Sequence, residues 1–330
     1  MKLGTLNIAN RYILAPMQNV TTAPYRRFCR RLQDIGLVSV PMLYAKKIAK
    51  DPNFLENELC KIEEERPISI QLIGSELDSI KKAIDALESY EFDVLDINAG
   101  CPSRRAINAK EGGYLLKNLE LLSELCNTAV NYSSKPVSLK IRTGFDRPVN
   151  LDKMAKIANS SGISFLIIHA RTVRSRDNDE IIDLETVKNL KLKLMIPLVG
   201  NGNIINPEIA KHFLEYTNVD ALMIGRESMG NPQIFQQIHN YLYNNTLDSF
   251  KNDITLMEKL LITYEEIIDD FLKDTMFPHG NDEFKLIELK RNSIWLTKDI
   301  ENSTSFRMQI SKVKTLKELR LILEKIFNLA

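Results

Sequence analysis

Short apolar runs recur along the first two thirds of the chain. Each is followed by a longer stretch in which apolar residues return every third or fourth position. The short runs predict strands over 12–16, 37–43, 68–73, 94–98, 137–142, 165–169, 196–200 and 221–225. The longer stretches predict helices over 24–33, 48–54, 75–89, 114–133, 151–160, 184–192 and 207–216, and another over 232–243 follows the eighth strand. Strand–helix alternation repeated eight times over roughly 240 residues is the pattern of an α/β protein built as a (β/α)8 TIM barrel. A doubly wound open sheet is the competing architecture, and it wants a glycine-rich phosphate loop after its first strand. Here the first strand runs into Met17-Gln-Asn-Val-Thr-Thr22, which has no glycine.

Beyond residue 245 the strand-like runs stop. Helical patterns over 256–272, 283–297 and 316–327 take over. The division expected is a barrel over 1–243 and a smaller, all-helical C-terminal domain over 244–330. The first of these helices is acidic. From Lys285 onward ten basic residues stand against five acids, although the chain as a whole carries a net charge of only +1. A nucleic-acid partner therefore has to be argued from local charge, and a solvated helix surface explains a basic helix equally well.

The 330 residues are 44% hydrophobic and 26% charged, an ordinary globular composition. No apolar run approaches the ~18 residues of a membrane helix, and the N-terminus lacks a signal core. Cys29, Cys60, Cys101 and Cys126 are scattered without zinc-ligand spacing, so no metal is expected and a reducing cytoplasm is. Cys29, Cys60 and Cys126 read as small packing residues, and His212, His239 and His279 as ordinary histidines.

Barrel enzymes place their chemistry at the C-terminal ends of the strands. Read off in order, those ends offer Gln71, then Asn98 and Cys101, then Lys140 and Arg142, then His169 and Arg171, then Asn201, then Arg226. Packing alone does not call for polar groups at one end of so many consecutive strands. Lys140 lies inside an apolar strand, and a buried lysine needs an anionic partner, either a structural carboxylate or a ligand that becomes negative. The loops after strands seven and eight, Gly200-Asn-Gly-Asn203 and Gly225-Arg226, are where such barrels bind phosphate through backbone N–H groups. Cys101 presents a single thiol at a strand end beside Arg104 and Arg105.

These residues resemble the tRNA-dihydrouridine synthases. The resemblance is carried, in family order, by Leu14-Ala-Pro-Met17, Thr22-Ala-Pro-Tyr-Arg-Arg-Phe-Cys29, Asp96-Ile-Asn-Ala-Gly-Cys-Pro102 and Lys140-Ile-Arg-Thr-Gly144. His169-Ala-Arg-Thr172, Gly200-Asn-Gly-Asn-Ile204, Met223-Ile-Gly-Arg226 and Gly230-Asn-Pro232 complete it. The resemblance implies an FMN-dependent barrel with a helical tRNA-binding domain, reducing the C5–C6 double bond of a uridine in tRNA. The electron donor it implies is NADPH, or NADH, and it implies a monomer.

By matching position, Pro16, Met17 and Gln71 would line the isoalloxazine, Lys140 would face its N1/O2 edge, and His169 would lie by the ring or the substrate base. Asn201, Gly202, Asn203, Gly225 and Arg226 would hold the ribityl phosphate. Cys101 would be the acid that protonates C5 after hydride reaches C6. Asn98 would fix the base or the loop. Arg104, Arg105, Arg142, Arg171, Arg174 and Arg176 would meet substrate or RNA phosphates.

The chain departs from the family at Gln18-Asn19, at Val40-Pro41-Met42 and at Val173–Asp179, and its only tryptophan is Trp295. These departures fall on the substrate side of the pattern. A dihydroorotate dehydrogenase-like FMN barrel acting on a free pyrimidine is the alternative enzyme. A tRNA-binding protein without turnover is the alternative of another class.

Overall fold

The computed structural model describes residues 1–175, 182–246, 253–273 and 275–327. An N-terminal hairpin, β1 (Lys2–Leu3) and β2 (Leu6–Asn7), precedes eight parallel strands: β3 (Tyr12–Leu14), β4 (Val38–Tyr44), β5 (Ile68–Ile73), β6 (Val94–Ala99), β7 (Val137–Gly144), β8 (Phe165–Thr172), β9 (Leu198–Asn201) and β10 (Ala221–Ile224). The pairing order β3-β10-β9-β8-β7-β6-β5-β4 returns to its start through the parallel bridge Ile13↔Leu37, so the sheet closes. All eight strands lie where the apolar runs place them. The hairpin is an addition that two-residue strands leave no periodicity to reveal.

Side chains alternate across each strand, so residues two apart share the barrel interior. The lower interior is apolar. Ile13, Val94, Phe165, Ile167, Val199, Ala221 and Met223 form one buried cluster, and Leu3 and Ile8 of the hairpin segment pack into it. Toward the C-terminal ends the same inward rows turn polar: Gln71 on β5, Asp96 and Asn98 on β6, Ser138, Lys140 and Arg142 on β7, His169 on β8 and Asn201 on β9. The apolar floor holds the barrel together by burial, on the order of 25 cal/mol per Å². The polar rim is free for chemistry.

Contacts group the chain into two compact units, Met1–Ala23 with Asp34–Gly225, and Pro24–Gln33 with Arg226–Ala330. The sequence places the line at 243/244 and assigns 24–33 to the barrel. The physical reason for the difference lies inside the second unit. Tyr25 donates to the Ser228 carbonyl at 2.7 Å, and Gln33 accepts from the Gln236 N–H at 2.7 Å and donates to the Pro232 carbonyl. Tyr25 also packs edge-on against Trp295, with ring centroids 5.7 Å apart.

The second unit continues with helices Ile234–Asn244, Ile254–Leu272, Asn281–Leu296, Ser303–Lys312 and Leu316–Phe327. Part of its basic charge is internally paired: Lys285 meets Asp269 and Glu265 at 2.6 and 2.8 Å, and Arg320 meets Glu265 at 2.8 Å. Lys312, Lys314, Lys317 and Lys325 are exposed. Among the described residues, no helix is long and apolar enough to cross a membrane, and no cluster of three or more His, Cys, Asp or Glu side chains could hold a metal.

Candidate active site

Strand register assembles the site. Gln71, Asp96 and Ser138 are direct neighbours across β5, β6 and β7; Asn98 is paired with Lys140, Arg142 with His169, and His169 in turn with Asn201. Three tiers of polar side chains therefore climb the inside of the barrel. At their top lies a cavity of about 240 Å³, lined among others by Pro16, Gln71, Asn98, Cys101, Lys140 and His169.

The polarity of this network is fixed at both ends. Asn98 Oδ1 accepts the backbone N–H groups of Gly100 and Cys101 at 3.0 and 2.9 Å, and a backbone N–H can only donate. The Asn98 amide nitrogen is thus turned toward Gln71, donating to its Oε1 at 2.7 Å and reaching Met42 Sδ at 3.7 Å. Gln71 Nε2 in turn donates to Asp96 Oδ2 at 2.6 Å, and Ser138 donates to Asp96 Oδ1 at 2.7 Å. A carboxylate that only accepts closes the chain. Asp96, 2% exposed at the base of the network, so sets how two amides face, and through them holds the loop that carries Cys101.

Burial pushes the Asp96 carboxyl up, against the hydrogen bonds of Gln71 and Ser138 and the charge of Lys140. Burial likewise brings Lys140 down to about 8, with Asp96 opposing that fall. Lys140 Nζ donates to Asn201 Oδ1 at 3.4 Å, and Asn201 is itself held through Nδ2 to the Met223 carbonyl at 2.8 Å. A cation on a cavity wall, depressed by desolvation, gains most from an anionic ligand.

Cys101 is partly buried. Its thiol donates to Ser103 Oγ at 3.4 Å, and Ser103 caps the short helix Arg104–Asn108 by accepting from the Ala106 N–H. Behind it lies Gly112, at φ 58°, where a Cβ would stand 2.8 Å from the Cys101 Cβ. The Gly113 N–H donates to the Cys101 carbonyl at 3.0 Å.

The remaining expected residues fall as follows. Met17 packs against the barrel's apolar cluster, and a Cβ on Gly225 would stand 3.3 Å from its sulfur. Gly202, at φ 133°, backs onto the His169 ring, where a Cβ would come within 3.1 Å. Asn203 accepts from Arg171 at 2.9 Å, and Arg171 is buried. Arg142 lines the cavity and donates to the Thr172 carbonyl at 2.8 Å. Arg104 and Arg105 are exposed on the helix after Cys101, and Arg174 pairs with Asp146 at 3.2 Å. Arg226 begins the second unit, and Arg176 lies outside the described residues.

Reasoning from sequence passed over Asp96 and Ser138, whose signal was an acid and a hydroxyl two places from the expected residues on inward rows. It also passed over Gly112-Gly113, where a glycine pair eleven residues past the thiol was the only mark.

The dihydrouridine synthase (Dus) family matches residues 13–330 of this chain. The chain belongs to the dihydrouridine synthase family. Similar curated proteins include tRNA-dihydrouridine synthase B of Pasteurella multocida, 31% identical over 335 residues, spanning 100% of this chain and 96% of that one. The protein of the same name from Pseudomonas putida is 36% identical over 248 residues, covering 73% of this chain and 72% of the relative. Among solved structures, morphinone reductase superposes with a TM-score of 0.55 at 12% identity, over 76% of this chain and 90% of that one. Histamine dehydrogenase from Rhizobium sp. 4-9 gives 0.56 at 12% identity, over 73% and 47% respectively. At that identity the likeness shows the barrel fold. Membership in the family carries its function, tRNA-dihydrouridine synthesis.

Proposed function

We propose that this Dus protein reduces the C5–C6 double bond of a uridine in tRNA, using FMN re-reduced by NADPH, with Cys101 as the proton donor. The observation that carries the reading is one cavity lined by both Lys140 and Cys101, with Lys140 hydrogen-bonded to Asn201, 61 residues further along the chain.

The donor set fits FMN. Lys140 is a cation on the cavity wall whose burial Asp96 offsets only in part, Gln71 and His169 line the same cavity, and the Gly202-Asn203 turn has positive φ at both residues (133° and 47°). Pro16, Met17, Gln71, Lys140 and His169 would hold the ring system, and Asn201, Gly202, Asn203, Gly225 and Arg226 the phosphate end. When bound, FMN supplies the hydride delivered to C6 of the uracil.

Lys140 would set its positive charge against the bound ring system and stabilise negative charge that develops there. Cys101 gives its proton to C5, forming the C–H bond as the sulfur keeps the S–H pair, and it must therefore be a thiol rather than a thiolate at the start of each turnover. The Ser103 hydroxyl can then turn to donate to that sulfur until solvent returns the proton. Asn98 and Gln71 keep the thiol loop and the ring side in fixed register. Arg104, Arg105, Arg142, Arg171, Arg174 and Arg176 are the candidate contacts to RNA, and the helical region 244–330 the candidate tRNA-binding domain.

The test is nucleoside analysis of unmodified tRNA incubated with the protein, FMN and NADPH, in parallel with orotate and fumarate as acceptors. Dihydrouridine in the tRNA supports the reading. Turnover confined to the small acceptors would replace it with a free-pyrimidine oxidoreductase.

A further inference from the structure

A second cavity, of about 340 Å³, opens beside the first and shares Gln18 and Met42 with it. Its floor is the C-terminal end of β4, which ends in Tyr44. The helix Ala45–Lys50 contributes Lys47, the helix Phe54–Glu58 contributes Phe54 and Glu58, and Arg105 reaches in from the helix after Cys101.

Each ring in this cavity carries a cation. The Arg105 guanidinium lies over Tyr44, 4.1 Å from the ring centroid, and Lys47 Nζ sits 3.2 Å from the centroid of Phe54. Arg105 is exposed and Tyr44 half-buried, so the layered pair offers a flat, positively charged surface to solvent. Planar π surfaces interleaved with positive charge are how proteins hold unpaired nucleotides, the base stacking and the phosphate meeting the cation. With two cations against the single carboxylate of Glu58, the lining favours an anion.

The position names the nucleotide. Arg105 lies four residues after Cys101, and Met42 and Gln18 form the shared wall. A uracil ring beside Cys101 remains covalently tied to its neighbours in the RNA, and this groove shares a wall with the cavity that would hold that ring. We propose that this second cavity is the subsite for the nucleotide adjoining the target uridine, its base stacked on the Arg105–Tyr44 pair and its phosphate beside Lys47. The proposal rests on the tRNA-reducing reading of the first cavity. It adds a specificity element that a free pyrimidine would not use.

The experiment uses the FMN-loaded full chain and direct binding of labelled, unmodified tRNA. Tyr44→Ala is expected to weaken that binding about tenfold, since stacking is worth ~1–3 kcal/mol per base. Tyr44→Trp keeps a ring at the site and should bind like the parent. Its added emission, measured over the background of Trp295, should be quenched by tRNA and unmoved by NADP+, which does not reduce the flavin. Unchanged tRNA affinity in Tyr44→Ala overturns the proposal. So does an emission in Tyr44→Trp that responds to NADP+ and not to tRNA, which would make this a dinucleotide groove. Neither readout needs turnover. Failure of the parent to form dihydrouridine would instead remove the synthase reading, while loss of tRNA-dependent quenching with intact turnover removes the subsite alone.

Discussion

The Asn98 side-chain oxygen accepts the Cys101 backbone N–H at 2.9 Å, and it takes that of Gly100 as well. One side chain on a rigid strand thus pins the loop that presents the thiol. Asn98→Ala would leave both N–H groups without their acceptor and free the loop. A loss of roughly 10²-fold in kcat is expected for a reacting group displaced by about 1 Å, with a stability cost of about 1–3 kcal/mol for the stranded polar groups. Steady-state kinetics beside denaturant unfolding separates the two. A stability loss with unaltered kcat would show that Asn98 is structural only.

Lys140 makes the site sensitive to alkali. Its pKa is lowered from 10.5 to about 8, so the folded protein releases this proton before the unfolded chain does. Between those values the unfolded state binds more protons, and this group's contribution makes the fold more stable as pH rises from about 8 toward 10.5. Activity should run the other way, falling as the cation is lost. In the protein without FMN, mass spectrometry after brief acetylation at pH 8 should find Lys140 more reactive than surface lysines. FMN should protect it. Asp96→Asn removes the opposing charge and should raise that reactivity further, and an unchanged rate would show that Asp96 does not set the charge of Lys140.

Gly112 stands where no side chain fits. Its φ of 58° disfavours an L residue, and an added Cβ would press on Cys101 from 2.8 Å. Gly112→Ala should cost about 1–2 kcal/mol from backbone conformation alone, and the displaced thiol should lower turnover further. Flavin content should be retained, because Gly112 backs the thiol loop and not Lys140 or Gly202. Equal losses of flavin and turnover would mean a general collapse of the rim.

The barrel was legible because each strand carries its own apolar run and each helix its own periodicity; Val94–Ala99 and Leu151–Ser160 need no tertiary context to be recognised. The rim residues were legible because they sit at strand ends, where Asn98, Lys140 and His169 interrupt apolar rows. What could not be read was pairing across strands. Asp96 looks like one more strand residue until register sets it between Gln71 and Ser138. Tyr44 and Lys47 fall between the strand over 37–43 and the helix over 48–54, and nothing in the sequence brings Arg105 over Tyr44. The helix Ala23–Leu32 fits the barrel alternation in sequence, yet Tyr25 and Gln33 bind Ser228, Pro232 and Gln236, which only long-range contacts reveal.

Anaerobic mixing of the NADPH-reduced protein with unmodified tRNA asks most directly whether this site reduces RNA and whether Cys101 supplies the proton. In the parent, oxidised-flavin absorbance should return on adding tRNA, with one dihydrouridine formed per flavin. In Cys101→Ala the reduced flavin should still form with NADPH, and its reoxidation by tRNA should slow by at least ~10²-fold, the usual weight of a positioned acid. Reoxidation at the parent rate in Cys101→Ala would remove the thiol from the mechanism. A reduced flavin indifferent to tRNA and reoxidised only by orotate would contradict the synthase reading itself.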